Sequence, residues 1–403
     1  MQADIERRES LPRVGLAESL ALALAGRIEK GELSITLPHG GERVFKGAHT
    51  GPKARLHVHD PSVFRRTLLG GTLAFAESYL AGDCDSPDLV ALVDLVIQNE
   101  AELMQSLDGR PWTRMLPRLG RWLRPNSKRG ARRNIAWHYD LGNDFYGLWL
   151  DPSMTYSSAL FDRPDDSLEA AQANKYRRMA ELAAIGPNDH VLEVGCGWGG
   201  FCSWAAREIG CRVTAITISR DQYDFAATRL RAEGLNDRVD LRFQDYRDLG
   251  GSFDRIVSIE MLEAVGEKYW PRYFAMLRDR LAPGGRAALQ VITIDDRHYE
   301  AYRNDVDFIQ RYIFLGGHLP SPSRLREQVK GARLEWQGAE RIGLHYACTL
   351  KIWRRSFEAA WPDILALGFD ERFRRMWRYY LAYCEAGFTT GRIDTLQAAL
   401  TKS

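Results

Sequence analysis

The chain lacks the features that would mark a metalloprotein, a disulfide-stapled secreted protein or a membrane-spanning one. Its six cysteines (Cys84, Cys196, Cys202, Cys211, Cys348 and Cys384) show neither paired metal-ligand spacing nor a disulfide framework. No apolar run is long enough to cross a bilayer: the best candidate, Leu16 to Ala25, is too short and contains Glu18. The N-terminus, Met1-Gln-Ala-Asp-Ile-Glu6, is acidic and does not resemble a signal peptide, so a reducing, cytoplasmic setting is expected. His57 and His59 occupy alternate positions that suit an ordinary strand surface, and no metal is assigned. Net charge is also scarce, at +2, but it is unevenly placed. Between Arg110 and Arg133 there are nine basic residues and no acidic one, interleaved with Trp112, Met115, Leu116, Leu119, Trp122 and Leu123. Cations beside tryptophans suit the head-group region of a membrane surface; a solvated linker or an RNA-binding arm are the alternatives.

What the chain does have is a globular composition, 45% apolar and 27% charged, over 403 residues, enough for two or three domains. Its most informative stretch is His190-Val-Leu-Glu-Val-Gly-Cys-Gly-Trp-Gly-Gly200. A short apolar run predicts a buried strand; alternating glycines then predict a tight turn, and a helix resumes from Phe201. Such a turn lets backbone amides approach a ligand closely. Further strands are predicted over 212–218, 253–259 and 285–293, with helices over 203–209, 221–232 and 268–281 between them. Alternation of strands and helices predicts an α/β, doubly wound, mainly parallel sheet, whose ligand sits at the carboxyl ends of the strands. The glycine turn lies at one of those ends.

The spacing E-x-G-x-G-x-G, opened by Glu193, resembles motif I of the S-adenosylmethionine-dependent methyltransferases and differs from the dinucleotide fingerprint G-x-G-x-x-G. With Asn134 to Asp151, Met154-Thr-Tyr-Ser-Ser-Ala159, Tyr246-Arg-Asp248, Arg311-Tyr-Ile-Phe314 and Leu319-Pro-Ser321, it closely resembles the cyclopropane-fatty-acyl-phospholipid synthase and mycolic acid cyclopropane synthase family. Phe75 to Asp85 looks like the small N-terminal lipid-associated domain of the bacterial phospholipid enzymes. The resemblance implies a Rossmann-like class I methyltransferase domain over 134–403, a lipid-associated domain over 1–108 and a basic amphipathic linker over 109–133. It also implies a homodimer acting on unsaturated phospholipid at the inner face of the membrane, with no nucleic-acid partner.

By the same resemblance S-adenosylmethionine is expected to contact Tyr156 and Ser157, the turn residues Glu193, Gly195, Gly197 and Gly199, then Thr217, Ile218 and Gln222, with Asp245 and Tyr246 at the adenine end. The expected reaction alkylates an isolated cis alkene in a lipid chain, which leaves a carbocation. Aromatic faces can stabilise that cation and a positioned base must then remove a proton. Loss from the new methyl group closes a cyclopropane; loss from the chain leaves a methyl branch. In the cyclopropane synthases that base is thought to be bicarbonate held by a small polar cluster. Mapped here, the cluster comprises Glu263, Tyr346 and the backbone of Ile292, with Gln290 in place of a histidine, Ser158 in place of a cysteine, and Ala264 where a second histidine is expected. Ser158 can still offer its amide, whereas glutamine cannot relay a proton. A nearby C-terminal cysteine is kept as Cys384, for which a buried structural thiol is the default role.

Two products therefore stay open. Family resemblance favours a cyclopropane, with bicarbonate held by Glu263, Gln290 and Tyr346, and this is the reading preferred at this point. The substitutions favour a methyl-branched or methyl-olefinic chain, with Glu263 as the base. Tyr302, Tyr312, Phe314, Trp353 and Phe357 are candidates to line an acyl tunnel. The rival functions are a small-molecule methyltransferase on the same fold and a lipid-binding homologue with weakened catalysis.

Overall fold

The computed structural model describes residues 15–105 and 141–402. These fall in two compact units, one within residues 1–115 and the other within 116–403. The basic stretch expected at the membrane surface lies outside the described residues.

In the first unit, β1 (Lys30–Thr36) pairs antiparallel with β2 (Glu42–Lys46) and parallel with β3 (His49–Val58), and β3 carries the short β4 (Cys84–Asp85). The helix Leu89–Gln98 turns Leu89, Leu92, Val93 and Leu95 inward, the spacing of one buried helical face. Its end is fastened by the buried Asn99. The Asn99 side chain accepts from the amides of Glu29 and Lys30 at 2.8 and 2.9 Å and donates to the carbonyls of Lys30 and Leu95 at 2.9 and 2.8 Å. A buried amide with all four contacts made costs little to bury and fixes the strand's starting point.

The second unit is built on a seven-stranded sheet in the order β10-β11-β9-β8-β5-β6-β7. Its strands are β5 (His190–Val194), β6 (Arg212–Thr217), β7 (Val239–Phe243), β8 (Phe253–Ile259), β9 (Leu281–Ile294), β10 (Glu335–Arg341) and β11 (Ile393–Thr401). From β7 through β6, β5 and β8 to β9 every pairing is parallel; β11 then runs antiparallel between β9 and β10. The sheet is thus mostly parallel, as predicted, with an antiparallel insertion that the pattern of strands and helices did not reveal. Helices cover both faces. On one, Trp270, Tyr273, Phe274 and Leu277 of the helix Trp270–Arg280 are fully buried over Leu192, Val194, Ile256 and Leu289. On the other, Tyr176, Met179 and Ala183 of Leu168–Ala183 join Phe201 and Ala205 of Gly200–Glu208 against Val191, Val213 and Val257.

Chain direction across the sheet reverses between β5 and β8. From β5 the chain moves outward to β6 and β7, then returns to build β8 and β9 on the other side. The crevice outside the carboxyl ends of strands at such a switch point is where doubly wound folds bind ligands. The glycine turn occupies it.

Candidate active site

The turn leaves β5 at Val194. The amides of Gly195 and Cys196 both donate to the Ile216 carbonyl on β6, at 3.0 Å each. Gly195, Gly197 and Gly199 have φ of 82°, 54° and 85°, a conformation that costs any other residue about 1–2 kcal/mol. Their surroundings differ. A side-chain carbon on Gly195 would come within 2.8 Å of Met261, and one on Gly199 within 3.1 Å of Ala226, so these two glycines let the turn pack against the protein. Around Gly197 no described residue lies within 4 Å of that position, and its backbone faces open space among the described residues. Just before the turn, Glu193 is 2% exposed, and its Oε2 has no hydrogen-bond partner among the described residues. Burial pushes that carboxyl up to about 8. An open backbone cradle beside a carboxyl with one unpaired oxygen suits a ligand that brings its own donors, as the ribose and amino groups of S-adenosylmethionine do.

The other expected cofactor residues gather at neighbouring strand ends. Thr217 closes β6; its hydroxyl donates to Gln222 at 3.0 Å, and Ser219 caps the helix Arg220–Ala232. Ile218 connects the two. Beyond β7, both carboxylate oxygens of the buried Asp245 are taken by Arg247, one of them at 2.7 Å, so this side chain is already committed within the protein. The Tyr246 ring packs edge-on against Tyr273 at 5.5 Å. Tyr156 lies over the site with its hydroxyl 2.7 Å from that of Tyr380, and its ring 5.2, 5.4 and 5.6 Å from Trp353, Tyr146 and Trp149. Ser157 accepts a 2.6 Å hydrogen bond from Lys175, which is fully buried in the helix Leu168–Ala183. Burial lowers the Lys175 ammonium to about 7, against the pull of Glu260, Asp151 and Glu193.

The polar cluster departs from the expected arrangement. Ser158, Gln290 and Tyr346 do converge, but on Glu260, a residue that the sequence reasoning passed over. One carboxylate oxygen of Glu260 accepts from the Ser158 amide at 2.9 Å and from Gln290 Nε2 at 2.8 Å; the other accepts from the Tyr346 hydroxyl at 2.8 Å. The Gln290 amide is held in this orientation because its oxygen accepts from Gln397 at 2.9 Å. Glu263, expected at the centre, lies to one side. It accepts from the Ile292 amide through one oxygen, while the other is buried with no partner among the described residues. Burial, and then the neighbouring Glu260, push its carboxyl up to about 8. The Ile292 amide, expected to face an anion, is thereby used by Glu263.

Glu260 follows the last residue of β8 and has φ of 50°, in the left-handed region. A clue was available: an acidic residue directly after an apolar strand, at the crevice end of a parallel sheet. Lys175 left a clue of another kind. It sits on the inward face of its helix in line with Ala171 and Met179, where a lysine is otherwise costly to bury. Cys384 is near the cluster and acts electrostatically on Tyr346 and Tyr380. Burial, and next Asp307, hold its thiol well above the ordinary range, so it is no nucleophile. The candidate tunnel aromatics divide. Trp353 packs on Tyr156 and Tyr346, and Phe314 lies 6.3 Å from Tyr156. Phe357 instead belongs to a core with Trp361 and Trp377, Tyr302 stacks on His318, and Tyr312 packs on Phe308.

Comparison with known proteins agrees with this geometry. Residues 126–398 match the family model described as mycolic acid cyclopropane synthetase. Tuberculostearic acid methyltransferase of Mycobacterium tuberculosis is 38% identical, across 97% of this chain and 94% of its own length. The cyclopropane-fatty-acyl-phospholipid synthase of Escherichia coli K12 is 35% identical, across 87% of this chain and 88% of its own length. The crystal structure of a mycolic acid cyclopropane synthase complexed with SAH and CTAB superposes with a TM-score of 0.64 at 30% identity, covering 70% of this chain and all of that one. The chain is therefore an S-adenosylmethionine-dependent methyltransferase, and it belongs to the mycolic acid cyclopropane synthetase family.

Proposed function

We propose that this enzyme transfers a one-carbon unit from S-adenosylmethionine to the cis double bond of unsaturated fatty acyl chains in membrane phospholipid. We propose further that the product is a methyl-branched or methyl-olefinic chain rather than the cyclopropane favoured by family resemblance alone. The observation carrying this reading is the rebuilt cluster: Ser158, Gln290 and Tyr346 all donate to the protein's own Glu260 carboxylate. The match to a tuberculostearic acid methyltransferase over 97% of the chain points the same way.

S-adenosylmethionine supplies an electrophilic methyl group. The protein's part is to hold the alkene against it, stabilise the resulting cation and withdraw a proton. The rings of Tyr156, Trp353 and Tyr346 form an electron-rich wall beside the cluster, with centroids 5.2 and 6.0 Å apart along the series. In a site shielded from water, attraction between a cation and such faces contributes about 2 kcal/mol or more. Burial keeps the nearby Cys384 thiol protonated, so it offers the cation no thiolate.

The test uses cofactor carrying a 13C-labelled methyl group, with vesicles of unsaturated phospholipid. The expected product shows the label as a methyl or vinylidene carbon on the acyl chain. An upfield ring-methylene signal would overturn the proposed product and restore the cyclopropane, which the 35% identity to the Escherichia coli synthase favours. Label found only on a water-soluble acceptor would overturn the lipid reading.

A further inference from the structure

We propose that Glu260 is this enzyme's built-in replacement for bicarbonate: its carboxylate fills the anion seat and is itself the base that takes the proton from the alkylated acyl chain. The inference rests on the lipid-alkylation reading given above.

A bicarbonate ion needs a ring of donors around a small anion, and beside Glu263 the N–H and O–H donors expected to supply that ring are the Ser158 amide, the residue at 290, the Tyr346 hydroxyl and the Ile292 amide. The first three close on Glu260 at 2.8–2.9 Å, and the fourth is used by Glu263. None of these four donors remains for a second anion, and bicarbonate would meet the Glu260 carboxyl in the same place. The residues present do not fit a bicarbonate ion; they fit a tethered carboxylate.

The backbone supports this assignment. Glu260 holds φ of 50°, strained for any residue with a side chain, and its amide is tied to the Gln290 carbonyl at 2.8 Å. Strain of this kind persists where the surroundings enforce it, commonly at functional sites. The following residue, Met261, is the one against which Gly195 packs, so the strained turn and the cofactor turn abut. The carboxylate is thereby presented at the mouth of β8, beside the strand end that carries the glycine turn.

Lys175 completes the electrostatics. Burial raises the Glu260 carboxyl above its ordinary value, which suits a proton acceptor, while the Ser158, Gln290 and Tyr346 hydrogen bonds and the buried Lys175, 2.6 Å from Ser157 Oγ, oppose that rise. In the reaction the methyl–sulfur bond breaks as a carbon–carbon bond forms, leaving a carbocation. The electrons of an adjacent C–H bond then form a new carbon–carbon double bond, and the proton passes to Glu260. It returns to solvent before the next cycle. No oxidant or reductant is needed, and the immediate product is an alkene.

The test pairs binding with turnover in the full chain. Glu260→Gly suits the left-handed backbone and opens the seat; Glu260→Gln fills the seat without a base. Wild type should show no saturable binding of 13C-bicarbonate by NMR, and its rate of one-carbon addition to acyl chains should not change when dissolved bicarbonate is stripped. Glu260→Gly should gain saturable bicarbonate binding. Both variants should lose about 100-fold or more in turnover, the scale of a positioned base, with S-adenosylmethionine affinity retained. Added bicarbonate should restore Glu260→Gly at least partly and leave Glu260→Gln unrestored. Saturable bicarbonate binding to wild type, or a wild-type rate that falls on stripping, would overturn the inference. So would full activity in Glu260→Gln. The binding arm does not depend on which lipid is alkylated, so failure of the substrate reading is seen separately, as absence of acyl product in wild type.

Discussion

Replacing Glu263 by glutamine should stabilise the protein, by an amount that grows with pH. In the folded chain one oxygen of Glu263 accepts from the Ile292 amide, and the other is buried without a partner among the described residues. Burial, reinforced by Glu260, lifts its carboxyl from 4.5 to about 8. Between those values the folded protein keeps a proton that the unfolded chain has released. The contribution to stability is therefore complete below pH 4.5 and is lost progressively as pH rises toward 8. Each pH unit in that window costs about 1.4 kcal/mol, so at pH 7 the acid lowers stability by about 3 kcal/mol. Glutamine has no proton to retain. Its NH2 takes the place of the acid's OH as a buried donor, so the penalty for an unanswered donor largely cancels between the two. Urea unfolding of wild type and Glu263→Gln at pH 5, 6, 7 and 8, followed by near-ultraviolet circular dichroism, measures the difference. The variant should gain little at pH 5 and about 3 kcal/mol at pH 7. A difference that stays flat across this range, or a variant less stable throughout, would show that Glu263 is ionised in the folded protein and would refute the reasoning.

Two further outcomes follow from the site. Gly197→Ala should weaken S-adenosylmethionine binding about tenfold by calorimetry while lowering stability by only about 1 kcal/mol, because its φ is 54° but its side-chain position opens on free space. Unchanged affinity would show that the cofactor does not approach this backbone. Cys384→Ala should keep turnover within about threefold, since a thiol held protonated supplies no nucleophile; a loss of about 100-fold would place the sulfur in the reaction.

Much of the fold was legible because apolar periodicity and glycine spacing are local signals. The predicted strand 253–259 coincides with β8, and the predicted helix 221–232 differs from Arg220–Ala232 by one residue. β7 was missed because Val239-Asp-Leu-Arg-Phe243 lies at the sheet edge, where only Val239 is fully buried and charged residues intrude. β11 was missed for the opposite reason. Its middle, from Thr395 to Leu400, is buried, yet Thr395 and Gln397 interrupt its apolar run, and its antiparallel insertion beside β9 is a property of topology alone. The glycine turn was legible down to individual glycines, although of its three left-handed glycines only Gly197 has open space beside it among the described residues. The cluster was legible in its members Ser158, Gln290 and Tyr346 but not in its centre. They lie far apart in sequence, and motif alignment pointed to Glu263, three residues from the carboxylate on which they close. A left-handed turn at a non-glycine residue leaves no periodic trace, so beyond its place after an apolar strand nothing in the sequence marked Glu260 as the centre of the cluster.

The place of β11 has a consequence for how the enzyme becomes active. This strand follows every other in the sequence, yet it lies inside the sheet, between β9 and β10. From it Gln397 reaches Gln290 and sets which end of that amide faces Glu260. During synthesis the glycine turn and the aromatic wall can form while β9 still exposes an unpaired edge, a surface prone to joining other chains. At that stage the Gln290 amide lacks the Gln397 contact on its oxygen and is oriented only by its Nε2 bonds to Glu260 and the Ser158 carbonyl. The same insertion that seals the edge also sets the amide, so the polar cluster is completed only after the glycine turn and its sheet are in place.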